Sequence, residues 1–304
     1  MKNQNIFFLD CPAFTLESVA VKNSNRNKFD YAHPIDSKVI KILDLPGIKS
    51  VFGSAVDLMT DLNYSPIISS GIPVNDKNFS EINDIVNFCT ETLGIKRPYV
   101  VISSSIELNA FTVGTDEESY IVLGNVLVRV MDNVKLKFII GHECGHISMG
   151  HVLYHSIVST AASFANSIPL VGKFVYGFSS FALTAWSRRS EITADRAGML
   201  CCLNPDEAKK ALLQLQSGFI NADNLDVNSY VRNSRSYRNK SFLRRINEFS
   251  QNHPPLSKRI EAIDLFAKSE AYYLTRGLPV PSDCISMKRL TDSVEKIIAV
   301  LGDC

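Results

Sequence analysis

The chain has 304 residues, enough to bury a sizeable core in one large domain or two small ones. Its 32 basic and 31 acidic residues leave a net charge of +1, so no global field steers it toward nucleic acid or an acidic surface. Seven cysteines, scattered from Cys11 to Cys304, show no disulfide framework, and the apolar start Ile6-Phe7-Phe8-Leu9 is too short for an export signal; free thiols without export predict a cytoplasmic protein.

Residues 1–35 have weak periodicity and a polar stretch from Lys22 to Asp30, and read as an N-terminal extension. Asp36 to Leu45 predicts a helix stopped by Pro46-Gly47, and Lys49 to Leu62 a second. Phe79 to Leu93 is amphipathic: Ile82, Ile85, Val86, Cys89 and Leu93 form one stripe, with Ser80 as N-cap and Gly94 as terminator. Tyr99 to Ile102 reads as a strand. Asn109 to Val113 and Tyr120 to Leu123 read as an antiparallel hairpin.

After His151 the chain turns apolar, and Ile157 to Trp186 carries one charge, Lys173. Pro169 and Gly172-Lys173 split this run into pieces too short to span a bilayer. It reads as a helical hairpin, buried or lying on a surface, with membrane contact no more than peripheral. Ser187 to Met199 predicts a helix. Asn204-Pro205-Asp206-Glu207 starts another, which runs to Gln216 before Gly218. Residues 219–241 read as irregular. Val227 to Asn247 holds six Lys or Arg and no acid, which reads as a solvated basic loop with no nucleic-acid partner. His253-Pro254-Pro255 opens a helix to Lys268, and residues 269–304 form a C-terminal extension with a helix at Asp292 to Leu301.

The chemistry lies in His142-Glu143-Cys144-Gly145-His146, inside a helical pattern from Val134 to Met149. Four residues is just over one turn, so His142 and His146 share a face and can hold one metal ion. Glu143, about 100° around the helix, can reach a water on that metal without ligating it. Two imidazoles suit zinc, and a carboxylate beside them suits proton removal. A third ligand is needed. A third His in the register His-x-x-Gly-x-x-His is absent, because Met149 and Val152 occupy those positions; His151 lies one residue out and, with His155, reads as a packing or supporting residue. A later Glu is the other solution. Glu191 and Asp195 lie one turn apart, so Glu191 can ligate while Asp195 accepts a hydrogen bond from the far nitrogen of a ligating His, His142. Taken alone, Arg188, Arg189, Glu191 and Asp195 read as a solvated helix face.

The joint order decides between these readings. Asn109-Ala110-Phe111 in a hairpin, His-Glu-Cys-Gly-His followed by His151, Glu191-x-x-x-Asp195 after an apolar insert, and His253-Pro254 leading to Arg259-Ile260 together resemble one family. These are the zinc metallopeptidases that include the HtpX-type quality-control proteases and the CAAX prenyl proteases. The resemblance covers about residues 36–268. It implies a zincin-like domain of gluzincin type there: α+β, predominantly helical, with a small antiparallel sheet or hairpin beside the active-site helix. It implies one zinc ion on His142, His146 and Glu191, with Glu143 as general base. It implies that His253 and Arg259 belong to the site, His253 either donating to an oxyanion or ligating zinc at rest. It places Asn109, Ala110, Phe111 and Thr112 beside the cleft as an edge strand for substrate. The expected function is a zinc metalloendopeptidase acting on unfolded or extended protein segments, in protein quality control. The alternative is a non-catalytic, zinc-containing peptide-binding or chaperone-like module. The chain departs from the membrane-embedded members in lacking convincing spanning segments.

Overall fold

A computed structural model describes residues 30–43, 48–106, 108–115, 117–152, 180–221, 224–240 and 253–299. The first half comprises helices α1 (Pro34–Leu43), α2 (Ile48–Asn63), α3 (Ser65–Ser70) and α4 (Ser80–Leu93), with the short strand β1 (Ile72–Pro73) between α3 and α4. The strands β2 (Tyr99–Ser103), β3 (Ala110–Gly114) and β4 (Ser119–Gly124) follow, then α5 (Asn125–Val130) and α6 (Asn133–Ser148). The second half is helical: α7 (Ser180–Cys202), α8 (Pro205–Ser217), α9 (Val227–Asn239), α10 (Leu256–Ala267), α11 (Glu270–Thr275) and α12 (Met287–Ile298). The class is α+β, predominantly helical, as expected.

The sheet is mixed rather than purely antiparallel, with order β1-β2-β4-β3. The β3–β4 hairpin forms as read, but β4 also pairs in parallel with β2. Val100, Val101 and Ile102 of β2 and Ile121, Val122 and Leu123 of β4 are all buried, as strands covered on both faces must be. This pushes β3 to the outer edge, next to α6.

Helix α6 has almost no polar face, because α4, α7 and α8 pack around it. Asp132 caps it by accepting from the amides of Val134 (3.0 Å) and Lys135 (2.9 Å). Two glycines let α7 come close. A Cβ at Gly141 would stand 2.7 Å from the Cβ of Cys201, and one at Gly145 would stand 2.6 Å from the Cβ of Ala197. This near-contact of backbones brings Glu191 of α7 opposite the two histidines of α6.

Three local expectations change. The α4 helix is not capped by Ser80: Phe79 is the cap residue, in a left-handed conformation at φ 60°, without a side-chain cap bond. Helix α7 starts at Ser180, ahead of the expected Ser187, because the apolar lead continues its turns. Residues 227–239 are helical, not a loop. Asp226 caps that helix at the Ser229 amide, and Val227, Tyr230 and Val231 pack against the core.

The described parts of both terminal extensions, residues 30–35 and 269–299, join the core. Tyr31, Ala32 and His33 are buried. Arg196 Nη1 donates to the Tyr31 carbonyl (3.0 Å), and the His33 amide donates to Thr193 Oγ1 (2.9 Å). Leu290, Val294 and Ile298 form the buried stripe of α12, which packs on α10.

Candidate metal centre

The floor of the site is α6. His142 and His146 point to one spot, with Nε2 atoms 3.2 Å apart. Glu191 of α7 faces them, its carboxylate oxygens 3.7 Å from His142 Nε2 and 3.5 Å from His146 Nε2. Zinc bonds of about 2.1 Å in a tetrahedron separate neighbouring ligand atoms by roughly 3.4 Å. The donor set of two imidazoles and one carboxylate therefore fits a metal ion in both chemistry and spacing. Among the described residues this is the group whose ligand atoms all lie within 4.8 Å of one another.

The ligands are held from behind. Asp195, one turn beyond Glu191, stands 3.0 Å from His142 Nδ1, so that nitrogen carries the proton and Nε2 presents its lone pair. Arg259 of α10 forks onto Asp195, Nε to Oδ2 at 2.8 Å and Nη2 to Oδ1 at 2.6 Å. Its Nη1 stands 3.2 Å from Glu191 Oε2. One guanidinium thus braces both carboxylates. Burial alone would raise the Glu191 carboxyl; the charge of Arg259, then the bonds from His146 and His253, outweigh it and hold Glu191 well below the usual carboxylate range. Asp195 is lowered in the same way, against its burial, by Arg259 and His142.

His253 stands at the rim, its side chain 67% exposed, with Nδ1 3.1 Å from Glu191 Oε1. That hydrogen bond raises its pKa above the ordinary imidazole value. Its position before Pro254 keeps the backbone extended as the chain enters α10.

Glu143 is buried beside the histidines, and Thr112 Oγ1 of β3 donates to its Oε2 at 2.6 Å. The sequence marks Thr112 only as a strand residue for substrate pairing; its grip on Glu143 appears only in the folded chain. Ala110 and Phe111 line the same cleft. Asn109 is exposed, and its Oδ1 accepts from the Ala110 amide (2.9 Å). The cleft is about 320 Å³. Its far wall is apolar, made by Phe138, Ile139, Leu212 and Leu215. Leu212 and Leu215 of α8 carry no sequence signal for this place, since helical periodicity does not tell a cleft wall from an interior.

His146 has its own backing. Its Nδ1 lies 3.1 Å from Nδ1 of His151, which is fully buried. The position of His155 lies outside the described residues.

Residues 76–266 match Peptidase family M48. The chain belongs to this family of metalloproteases. It is 25% identical over 256 residues to the plastoglobule-localized metallopeptidase 48 of Arabidopsis thaliana, covering 80% of this chain and 74% of that protein. Protease HtpX of Baumannia cicadellinicola is 23% identical over 265 residues, covering 75% of this chain and 88% of HtpX. The crystal structure of Ste24p from S. mikatae aligns with 76% of this chain and 61% of its own, at 16% identity and a TM-score of 0.40.

These relatives correct the cytoplasmic expectation. The HtpX relatives are integral membrane proteases, so free thiols and a short apolar start do not place this M48 chain in the cytoplasm. Such features bear on export through an N-terminal signal and say nothing about apolar segments further along. Among the described residues no helix is long and apolar enough to cross a membrane. Most of the apolar run, residues 153–179, lies outside the described residues.

Proposed function

We propose that the chain is a zinc metalloendopeptidase that cleaves extended or unfolded protein segments. The observation that carries this reading is Glu143: it is oriented by Thr112 at the floor of an open cleft, beside the converging His142, His146 and Glu191. A site that only held a metal would need neither the oriented carboxylate nor the cleft.

Zinc bound there would polarise the scissile carbonyl and make water a stronger nucleophile at neutral pH. Glu143 takes the proton of the attacking water and passes it to the leaving amine nitrogen. Thr112 holds one oxygen of Glu143 by its hydroxyl, leaving the other to work. His253 stands at the rim of the cleft with Nδ1 on Glu191, and a ring N–H there is suited to donate to the developing oxyanion. Its placement over Glu191, rather than among the converging ligand atoms, favours that role over resting ligation.

Substrate alignment falls to β3. Asn109 O accepts from the Gly124 amide and Glu118 O accepts from the Thr115 amide. The alternation of antiparallel pairing therefore turns the main-chain groups of Ala110 and Thr112 away from β4. The Ala110 amide is held by Asn109 Oδ1, so an extended peptide can pair with the Ala110 carbonyl and the main-chain groups of Thr112, reading backbone more than side chains. The apolar wall offers room for one bulky apolar side chain of the peptide.

The test is bound zinc by metal analysis, together with cleavage of an unfolded protein by wild type and Glu143→Gln. Retained zinc in both proteins, with cleavage lost in the variant, is expected. Zinc-loaded wild type that binds the unfolded protein but leaves it intact would favour the non-catalytic binding module.

A further inference from the structure

Beyond the two ligand helices, a buried polar chain leads from His146 to a helix outside the matched family region. His146 Nδ1 faces His151 Nδ1 at 3.1 Å. His151 Nε2 faces Oδ1 of Asp36 at 3.3 Å, a long contact short of full hydrogen-bond alignment. Asp36 is on α1, and its remaining valences are filled: Trp186 Nε1 donates to Oδ1 (3.1 Å) and Thr193 Oγ1 to Oδ2 (2.5 Å). Both donors come from α7, the helix that carries Glu191. Asp36, His151 and Thr193 are fully buried, and the Trp186 ring stands edge-on to His151 with centroids 5.3 Å apart.

We propose that Asp36, acting through His151, is a positioning residue that fixes the tautomer of His146 and so aims its Nε2 lone pair at the metal. This rests on the reading that His142, His146 and Glu191 hold a divalent ion. The direction of the protons follows from the acceptor at the end of the chain. A carboxylate only accepts, so His151 carries its proton on Nε2 and its Nδ1 is bare. A bare Nδ1 requires a proton on Nδ1 of His146, and the lone pair of His146 is then on Nε2, the atom facing His142 and Glu191. Asp195 does the same for His142 in one step. Each ligating imidazole thus ends on a carboxylate, one directly and one through a second histidine. The N-terminal helix α1 becomes part of the metal centre although it precedes the matched residues.

Asp36→Leu, set beside Asp36→Asn, separates this from a merely structural role. Leucine is close to aspartate in size but leaves His151 Nε2 facing no acceptor, so nothing fixes the His151 proton on that nitrogen. In Asp36→Asn, Trp186 Nε1 can only donate and keeps the amide oxygen at the Oδ1 position, while the NH2 group faces the Thr193 hydroxyl, which can turn to accept; the acceptor for His151 is kept. The experiment uses the full chain with 15N-labelled histidine. Ring nitrogen shifts of the zinc-free protein report the tautomers, and competition with a chromophoric chelator reports zinc affinity. The expected result is loss of the single His151 tautomer and a roughly 10–100-fold loss of zinc affinity in Asp36→Leu, with both kept near wild type in Asp36→Asn. His151→Phe, which removes the relay without altering Asp36, should weaken zinc to a similar degree and serves if Asp36→Leu fails to fold. Wild-type zinc affinity in folded Asp36→Leu or His151→Phe, or an equal loss in Asp36→Asn and Asp36→Leu, overturns the proposal while leaving the metal reading intact. A wild type that binds no zinc overturns the metal reading itself, and this proposal with it.

Discussion

Gly145→Ala adds one methyl group at the tightest point between α6 and α7. The new Cβ would stand 2.6 Å from the Ala197 Cβ and 3.1 Å from the Ala194 Cα. Ordinary carbon contacts are about 3.5–4.0 Å, so the helices must part by roughly 1 Å. Overpacking of this kind costs about 1–3 kcal/mol, and alanine in place of glycine inside a helix returns about 1 kcal/mol. The net loss of stability is therefore about 0–2 kcal/mol. The loss at the site is larger. Ala194 and Ala197 belong to the helix that carries Glu191, so the same movement draws the third ligand away from His142 and His146. A shift of about 1 Å is half a zinc–ligand bond, and misplacements of that size cost roughly 10²-fold in rate. The assay measures Tm in chelator, zinc affinity by competition, and peptide cleavage on the same protein. The expected outcome is a folded variant with cleavage and zinc affinity each down about 10²-fold. A variant with wild-type affinity and turnover would refute the view that close helix approach sets the ligand geometry.

Other perturbations separate the site's parts. Arg259→Gln leaves Glu191 and Asp195 buried without their cation, and should cost about 3–5 kcal/mol in urea unfolding of the zinc-free protein; a loss under about 1 kcal/mol would mean the carboxylates find other partners. Thr112→Val should lower turnover about 10-fold with zinc affinity unchanged, since only the hold on Glu143 is removed; a parallel loss of zinc would show that the strand positions the ligands instead. Glu295 of α12 tests the C-terminal bracing: burial pushes its carboxyl up, but bonds from His33 and Arg189 outweigh that and hold it at about 2. A depressed carboxylate contributes stability above its unfolded value of 4.5, and that contribution is lost as pH falls toward 2. Glu295→Gln should therefore be less stable than wild type at pH 7, with the two converging by about pH 2; a gap that persists in acid would contradict this.

What the sequence made legible was local. His142 and His146 declare themselves because four residues is a helical turn, and Glu191 with Asp195 repeats the same spacing. Elements with strong stripes, such as α4, were bounded to within a residue or two. The hidden contacts are those that join distant parts of the chain. Asp36 reads as an ordinary acid in a helix's first turn, and only folding sets it against His151, far along the sequence. Thr112 reads as a strand residue until β3 is laid against α6. The parallel pairing of β2 and β4 is equally silent, since a run such as Val100-Val101-Ile102 signals burial on both faces but not which neighbour lies beside it. Helix α9 carries a weak sequence signal because its apolar residues, Val227, Tyr230 and Val231, are diluted by serine, asparagine and arginine.

Charge ties these parts together. Around the centre, the carboxylates of Glu143, Glu191 and Asp195 face one guanidinium, that of Arg259. His142 and His146 must be neutral to hold a metal, which leaves two negative charges to be offset, and His253 at the exposed rim can offset only part. Burying uncompensated charge costs several kcal/mol per ion, unless the group takes up a proton instead. Glu191 does not take that route, because Arg259 keeps it ionised. A divalent cation bound there would supply the missing charge, and its binding free energy would add directly to the stability of the folded chain. Glu143 is the member this balance does not need. Replacing it with a neutral residue would ease the repulsion and leave every proposed ligand in place. Its retention, and the hydroxyl that Thr112 spends on orienting it, therefore argue for a carboxylate kept for proton transfer rather than for holding the metal.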